Sequence, residues 1–269
     1  MTKKIHKFNN GVRVYDEHLM PAQRERYRIN NVHEADEEEL FIRIISSIPA
    51  DGCFINIGTA IGYYAILAKK LSPQLNVHAV EPLASFRRCF IENIKLNNLS
   101  QLDFNIHPVA VGAVDGRVSF LEKGYESQLL LSTEQQGIIR QIFMKLKNLV
   151  KAILGGLGVK RYAAGPGRKS ETDSVTLDAL VKRIGQPIDV ASMDVQGLEA
   201  DILKGGNSVL EHADVKTFII GTHGNNIHQQ CHKMLTEKNY EIEYDEPDTP
   251  HQPDGIIIAS KGIQRLTAI

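Results

Sequence analysis

The chain has 269 residues, 42% of them hydrophobic, enough to bury a substantial core as one α/β domain. Its 31 Lys and Arg against 32 Asp and Glu leave a net charge of −1, which excludes a global field that recruits nucleic acid. Three scattered cysteines without a CxxC exclude a disulfide framework and fit a reducing cytoplasm, and no apolar run has the length of a signal peptide or a membrane span.

Residues 1–34 are polar and mixed in charge, and predict an irregular arm with one short strand over Val12 to Tyr15 and solvated Arg24, Arg26 and Arg28. The rest of the chain, residues 35–269, predicts one domain. Ala35 to Ile48 predicts a helix: acids crowd its start, where the helix dipole favours them, and Leu40, Phe41, Ile44, Ile45 and Ile48 make an apolar face. Pro49 to Gly52 turn the chain into a buried strand from Cys53 that stops at a glycine turn, Gly58 to Gly62. A helix over Tyr64 to Leu71 and a second buried strand, Val77 to Val80, follow. Leu83 to Leu96 reads as a helix, Leu102 to Ile106 as a third strand, and Val109 to Val111 and Val118 to Leu121 as short strands around the turn Asp115-Gly116.

An insertion over 122–174 departs from this alternation. Within it Ile138 to Leu154 has apolar residues at helical spacing and a basic opposite face of Arg140, Lys145, Lys147 and Lys151. A lid helix packed on the domain, or a peripheral contact with an anionic membrane through Ile138 to Arg161, both fit that pattern. The alternation then resumes. Leu177 to Ile184, Leu198 to Leu203 and Ile227 to Lys238 read as helices. Ile188 to Met193 and Val215 to Ile220 read as buried strands, and Tyr240 to Tyr244 with Gly255 to Ala259 as an antiparallel pair.

The unit from Cys53 to Pro82 is strand, glycine turn, helix, strand and acid. Gly58 and Gly62 allow a ligand close to the main chain. Glu81 stands about twenty residues past the turn, where an acid accepts hydrogen bonds from ribose hydroxyls. The motifs Glu81-Pro82, Asn93-Ile94-Lys95-Leu96-Asn97-Asn98-Leu99, His107-Pro108-Val109-Ala110-Val111-Gly112, Asp115-Gly116, Thr176-Leu177-Asp178 and Asp194-Val195-Gln196-Gly197-Leu198-Glu199-Ala200 occur in that order. This ordered set resembles the FkbM-type family of S-adenosylmethionine-dependent methyltransferases, from about Phe54 to the C-terminus.

The resemblance implies a class I methyltransferase fold: a Rossmann-like, mostly parallel seven-stranded sheet with helices on both faces and the last strand antiparallel. It implies methyl transfer, usually to oxygen, with S-adenosyl-L-methionine as cofactor and a sugar, glycolipid or secondary metabolite as acceptor. Cofactor-binding roles fall on Asn56, Gly58, Ala60, Gly62, Glu81 and Ala110. Asn56 departs from the pattern, which has an acid there, and an amide cannot pair with the cofactor's α-ammonium as a carboxylate does. The implied strand order makes the strands ending at Asp194 and His223 neighbours, which puts both side chains at one edge as candidate catalytic residues, His223 as general base. A divalent metal at Asp194 and His223 is possible but not favoured: Gln196 stands where an acid is usual, and His228 and His232, four apart on one helix, do not close a ligand set. Two other classes stay open. A nicotinamide-dependent oxidoreductase would leave the Glu-Pro and Asp-Val-Gln-Gly motifs unexplained. A binding protein that keeps the fold without catalysis would account for Asn56 and Gln196.

Overall fold

The computed structural model describes residues 3–122, 128–130, 168–248 and 254–262. The chain divides into a larger unit, Met1–Gly116 with Asp173–Ile269, and a smaller one, Arg117–Thr172. The basic helix expected over Ile138 to Leu154, and the loop after it to Arg161, lie outside the described residues.

The larger unit begins with a hairpin of β1 (Ile5–Lys7) and β2 (Arg13–Tyr15), followed by helix α1 (Pro21–Ile29). The irregular arm expected there is thus a folded segment. Its anchors are sparse, which hides it from periodicity: Phe8, Val12, Val14 and Tyr27 are buried among exposed neighbours. Phe8 meets Tyr27 and Tyr63 edge-on, with ring centroids 5.0 and 4.7 Å apart. Asn93 and Asn97 hold β2 from the side: their Oδ1 atoms accept from Tyr15 N (3.1 Å) and Arg13 N (2.9 Å), and Asn97 Nδ2 donates to Arg13 O (2.7 Å).

Helix α2 (Ala35–Ser47) carries Asp36, Glu37 and Glu38 in its first turn and buries Leu40, Phe41, Ile44 and Ile45. Strand β3 (Cys53–Ile57) is buried throughout, then α3 (Tyr63–Leu71), β4 (Asn76–Val80) and α4 (Ala84–Leu96) follow in the expected order. Strand β5 (Phe104–His107) starts later than the alternation suggests. Ser100 and Asp103 cap each other's backbone, with Ser100 Oγ accepting from Leu102 N at 3.2 Å and Asp103 Oδ2 from Ser100 N at 2.7 Å. That closes a single 3₁₀ turn and leaves Leu102 95% exposed.

Strand β6 (Ala110–Gly112) pairs in parallel with the end of β9 (Arg168–Thr176). Strands β7 (Gly116–Glu122), which leads into the smaller unit, and β8 (Gln128–Leu130) pair antiparallel, with Phe120 opposite Leu129. The alternation then continues with α5 (Leu177–Ile184), whose N-terminus Thr176 Oγ1 caps by accepting from Ala179 N at 3.2 Å, β10 (Ile188–Met193) and α6 (Glu199–Lys204). After these come α7 (Asn207–His212), β11 (Val215–Thr222), α8 (Asn225–Glu237), β12 (Glu241–Glu246) and β13 (Gly255–Ser260).

Seven strands make the main sheet in the order β12-β13-β11-β10-β3-β4-β5. The pairs from β11 to β5 are parallel, and β13 runs antiparallel to β11 and to β12. Strands β3, β10 and β13 are buried at every residue, the pattern of a sheet covered on both faces. The fold is the class I methyltransferase fold expected from the resemblance. Chain order reverses across β3, which connects to β4 on one side and lies against β10 on the other. Such a switch point opens a crevice at the carboxyl ends of the strands.

On β4 and β5 the rings of His78 and His107 stack, with Nδ1 of the first 2.9 Å from Nε2 of the second. Burial above all, and then the neighbouring His107, push His78 down to about 4. An unfolded chain protonates this residue near 6.5, and the folded one not until about 4. Between those values the unfolded state binds more protons, so stability falls as pH falls from about 6.5 to 4. The contribution is about 3 kcal/mol. Urea midpoints at pH 7 and pH 4.5 should therefore separate further in the parent than in a His78→Gln variant; equal separations would remove His78 as the cause.

Candidate functional site at the carboxyl edge of the sheet

Four neighbouring strands deliver the candidate residues to one edge. Gly58 follows β3, Glu81 follows β4, Asp194 follows β10 and His223 follows β11. The ladders continue past the strand ends: Gly58 N and Thr59 N donate to Val80 O at 3.0 and 3.1 Å, and Asp194 N donates to Ile57 O at 3.2 Å. That ties the glycine turn to both of its neighbours. Gly58 has φ +83, and a Cβ there would lie 2.1 Å from the carbonyl oxygen of Asp194. Only glycine lets the two loops touch. Ala60 (φ 48) and Gly62 (φ 91) also take left-handed conformations, and the turn ends where α3 begins.

Glu81 is 4% exposed and braces this turn. Its Oε2 accepts from Ala60 N at 2.9 Å and its Oε1 from Leu83 N at 2.8 Å. Arg87 Nη1 donates to the carbonyls of Glu81 and Pro82 at 2.8 and 2.6 Å and fixes the corner. A carboxylate can accept several hydrogen bonds at once, so it can brace the turn and also meet a ribose hydroxyl. Asn56 is buried at the end of β3. Its Nδ2 donates to Ser192 Oγ at 2.9 Å, and its Oδ1 has no hydrogen-bond partner among the described residues. A buried orphan acceptor is costly unless a donor arrives, and the α-ammonium of S-adenosyl-L-methionine is such a donor. The carboxylate, the turn and the orphan amide oxygen fit that cofactor. Ala110 is buried at the start of β6, three residues past the end of β5.

Asp194 and His223 meet as expected from adjacent strands, with Asp194 Oδ1 3.5 Å from His223 Nε2. Three further groups join them, two from the motif that begins at Asp194 and one, Asp254, without a sequence signal. Glu199 Oε1 lies 2.9 Å from His223 Nδ1, Asp254 Oδ1 lies 3.4 Å from His223 Nε2, and the Gln196 amide lies 2.9 Å from the same nitrogen. Glu199 reads in the sequence as an acid at a helix start; its side chain instead turns back, and its Oε1 also accepts from Val195 N and Gly197 N at 3.2 and 3.1 Å. Asp254 arrives because β13 pairs with β11, placing Gly255 opposite Thr222.

The electrostatics follow from this crowding of acids. Surrounding protein pushes Asp194 up to about 7; His223 opposes that, and Glu34, Asp254 and Glu199 add to it. The carboxylate is ringed by protein but 48% of the side chain stays open, so solvent tempers the push. Burial, the largest influence on His223, lowers it, but the bond to Glu199 and the charges of Asp194, Glu199 and Asp254 together raise it to about 9. His223 therefore holds its proton more tightly than an unperturbed imidazole. Burial also raises Glu37 well above the carboxylate range, with help from Glu34 and Asp194, so α2 contributes a largely neutral acid beside the cluster.

The model for the methyltransferase FkbM domain matches residues 56–242. The chain is 34% identical over 85 residues to a "Putative methyltransferase" of Jannaschia sp. (strain CCS1). That match covers 32% of this chain and 29% of the relative. A crystal structure of methyltransferase FkbM from Methylobacillus flagellatus KT aligns with 13% identity and a TM-score of 0.46, over 78% of this chain and 44% of that one. M. capricolum TrmK, solved with S-adenosyl-homocysteine, aligns with 12% identity and a TM-score of 0.42, over 82% of this chain and 67% of that one. The chain thus spans less than a third of the curated relative it matches and under half of the Methylobacillus flagellatus structure. With the family model covering more than half of its residues and the sheet in the class I order, the chain belongs to the FkbM methyltransferase family.

Proposed function

We propose that the chain transfers a methyl group from S-adenosyl-L-methionine to a hydroxyl of a sugar, glycolipid or secondary metabolite. The observation that carries this reading is the shared edge: a cofactor-suited carboxylate and glycine turn on β4 and β3 stand beside an acid–imidazole pair on β10 and β11. The cofactor supplies an electrophilic methyl group on a sulfonium. Glu81 accepts the ribose hydroxyls, the Gly58 to Gly62 turn admits the methionine part, and Asn56 Oδ1 accepts from its ammonium. Asp194 and His223 orient the acceptor hydroxyl and stand where its proton must leave. The three cysteines are unpaired, which supports a reducing, cytoplasmic location. No helix among the described residues is long and apolar enough to cross a membrane.

Calorimetric titration should show binding of S-adenosylhomocysteine and none of NAD; the reverse result would favour the oxidoreductase reading. Glu81→Gln loses charge-assisted bonds and sets an amide N–H against backbone N–H groups. It should weaken S-adenosylhomocysteine by about 10- to 150-fold, or about 1.5–3 kcal/mol. Parent-like affinity in that variant would move the ribose elsewhere. Labelled methyl transfer into small-molecule, glycan, lipid and RNA fractions then identifies the acceptor, and a cofactor-binding chain with no transfer into any fraction would support the non-catalytic reading.

A further inference from the structure

Two groupings of histidine and acid stand out among the described residues: Glu17, His18 and Glu92, and Asp194, Glu199 and His223. The first already holds a cation of the protein. Lys3 Nζ lies 2.7 Å from Glu17 and 2.8 Å from Glu92. In the second, no lysine or arginine takes that place: the acids share one imidazole, and a metal ion would displace its proton. Among the described residues no lysine or arginine lies at ion-pair distance from Asp194, Glu199 or Asp254, whose ion pairs all run to His223; the charge of Arg26 reaches Asp254 only from further off.

Glu199 supplies a second and independent observation. Its side chain is fully buried, and its Oε1 is committed to Val195 N, Gly197 N and His223 Nδ1. Its Oε2, on the same carboxylate that faces His223, is buried and has no hydrogen-bond partner among the described residues. Holding the Asp194–Gly197 loop accounts for one oxygen and leaves the other unexplained. A buried unpaired carboxylate oxygen is among the most costly groups a fold can carry. A cation beside it removes that cost.

We infer that Asp194, Glu199 and His223 form a divalent-cation site at the acceptor end of the edge. One ligand atom from each lies within 4.8 Å of the others. Ligands about 2.1 Å from a common ion stand roughly 3 to 4 Å apart, so small side-chain adjustments close the set. Asp194 stands at Nε2 and Glu199 Oε1 at Nδ1, so whichever nitrogen binds the ion, the carboxylate at the other one also orients the ring. Two carboxylates and one imidazole suit manganese or magnesium better than a thiol-seeking ion. Asp254, 3.4 Å from His223, adds charge at the rim. The role of the cation, holding the acceptor oxygen and lowering its pKa, rests on the methyl-transfer reading; the binding does not.

The test uses the full chain, freed of metal with a chelator and titrated with Mn²⁺ by calorimetry and electron paramagnetic resonance. One equivalent should bind. Asp194→Asn and Glu199→Gln should each weaken it at least tenfold, while Glu92→Gln, in the lysine-filled grouping, should leave it unchanged. Asp194 is half exposed, so its variant carries the test if Glu199→Gln does not fold. S-adenosylhomocysteine is titrated alongside. A chain that binds it but takes up no Mn²⁺, or whose Asp194→Asn variant binds Mn²⁺ as the parent does, overturns the cation site alone. A chain that binds Mn²⁺ with the expected losses but not S-adenosylhomocysteine keeps the site and removes the methyl-transfer reading.

Discussion

Alanine at position 62 should destabilise the chain by about 2–5 kcal/mol. Gly62 has φ +91, where a side chain costs about 1–2 kcal/mol. A Cβ there would lie 1.9 Å from Cδ2 and 2.5 Å from Cε2 of Phe90. Phe90 has no room to yield: it is fully buried and packs edge-on against Phe104, with ring centroids 5.2 Å apart. Overpacking of this kind adds about 1–3 kcal/mol. Urea unfolding should show a lower midpoint with an unchanged slope. Adding Phe90→Leu should recover part of the loss, because the strain is shared between the two positions. A single Gly62→Ala variant with the parent's midpoint would mean that α4 moves aside freely and that the glycine turn is less constrained than its packing implies.

The largest effect on turnover is expected from His223→Ala. The imidazole is held on one side by Glu199 at 2.9 Å and faces Asp194 and Asp254 on the other at 3.5 and 3.4 Å. Removing it takes away the centre of the group proposed to meet the acceptor, whether directly or through a bound cation. Loss of a positioned proton-transfer group lowers rates by about 10²- to 10⁴-fold. Affinity for S-adenosylhomocysteine should change little, since the glycine turn after β3 and Glu81 after β4 lie on the far side of β10 from it. Single-turnover methyl transfer with the identified acceptor, next to a binding titration, separates the two effects. Normal turnover would take His223 out of the mechanism. Equal losses in binding and turnover would make it a structural residue of the edge.

Much of this edge was legible because buried parallel strands write themselves as continuous apolar runs. Cys53-Phe54-Ile55-Asn56-Ile57 and Ile188 to Met193 end at a glycine and an acid, and so name both a strand and its outlet. Where support comes from far along the chain, local pattern is silent. Gly205-Gly206 reads as a stop, yet α7 begins at once, because Asp178 accepts from Ser208 N (3.2 Å) and Val209 N (2.9 Å) from about thirty residues upstream. The site divides in the same way. Asp194 and His223 follow from strand order, whereas Glu199 enters through a side-chain reversal that periodicity cannot encode, and Asp254 through the pairing of the last strand. Helix α1 escaped for a different reason: only Tyr27 of its nine residues is buried, so it lacks an apolar stripe to read.

The side-chain clasp on β2 has a consequence in time. Asn93 and Asn97 grip Tyr15 and Arg13 across separations of 78 and 84 residues. The hairpin leaves the ribosome before its partners, which emerge only after β3, α3 and β4 have been made. Closing so long a loop before α4 exists gains nothing to offset the lost chain entropy. Strands made before the main sheet are therefore placed after it. During synthesis the outer edge of β2 waits unpaired, and the two asparagines later occupy the backbone groups through which another strand would otherwise add.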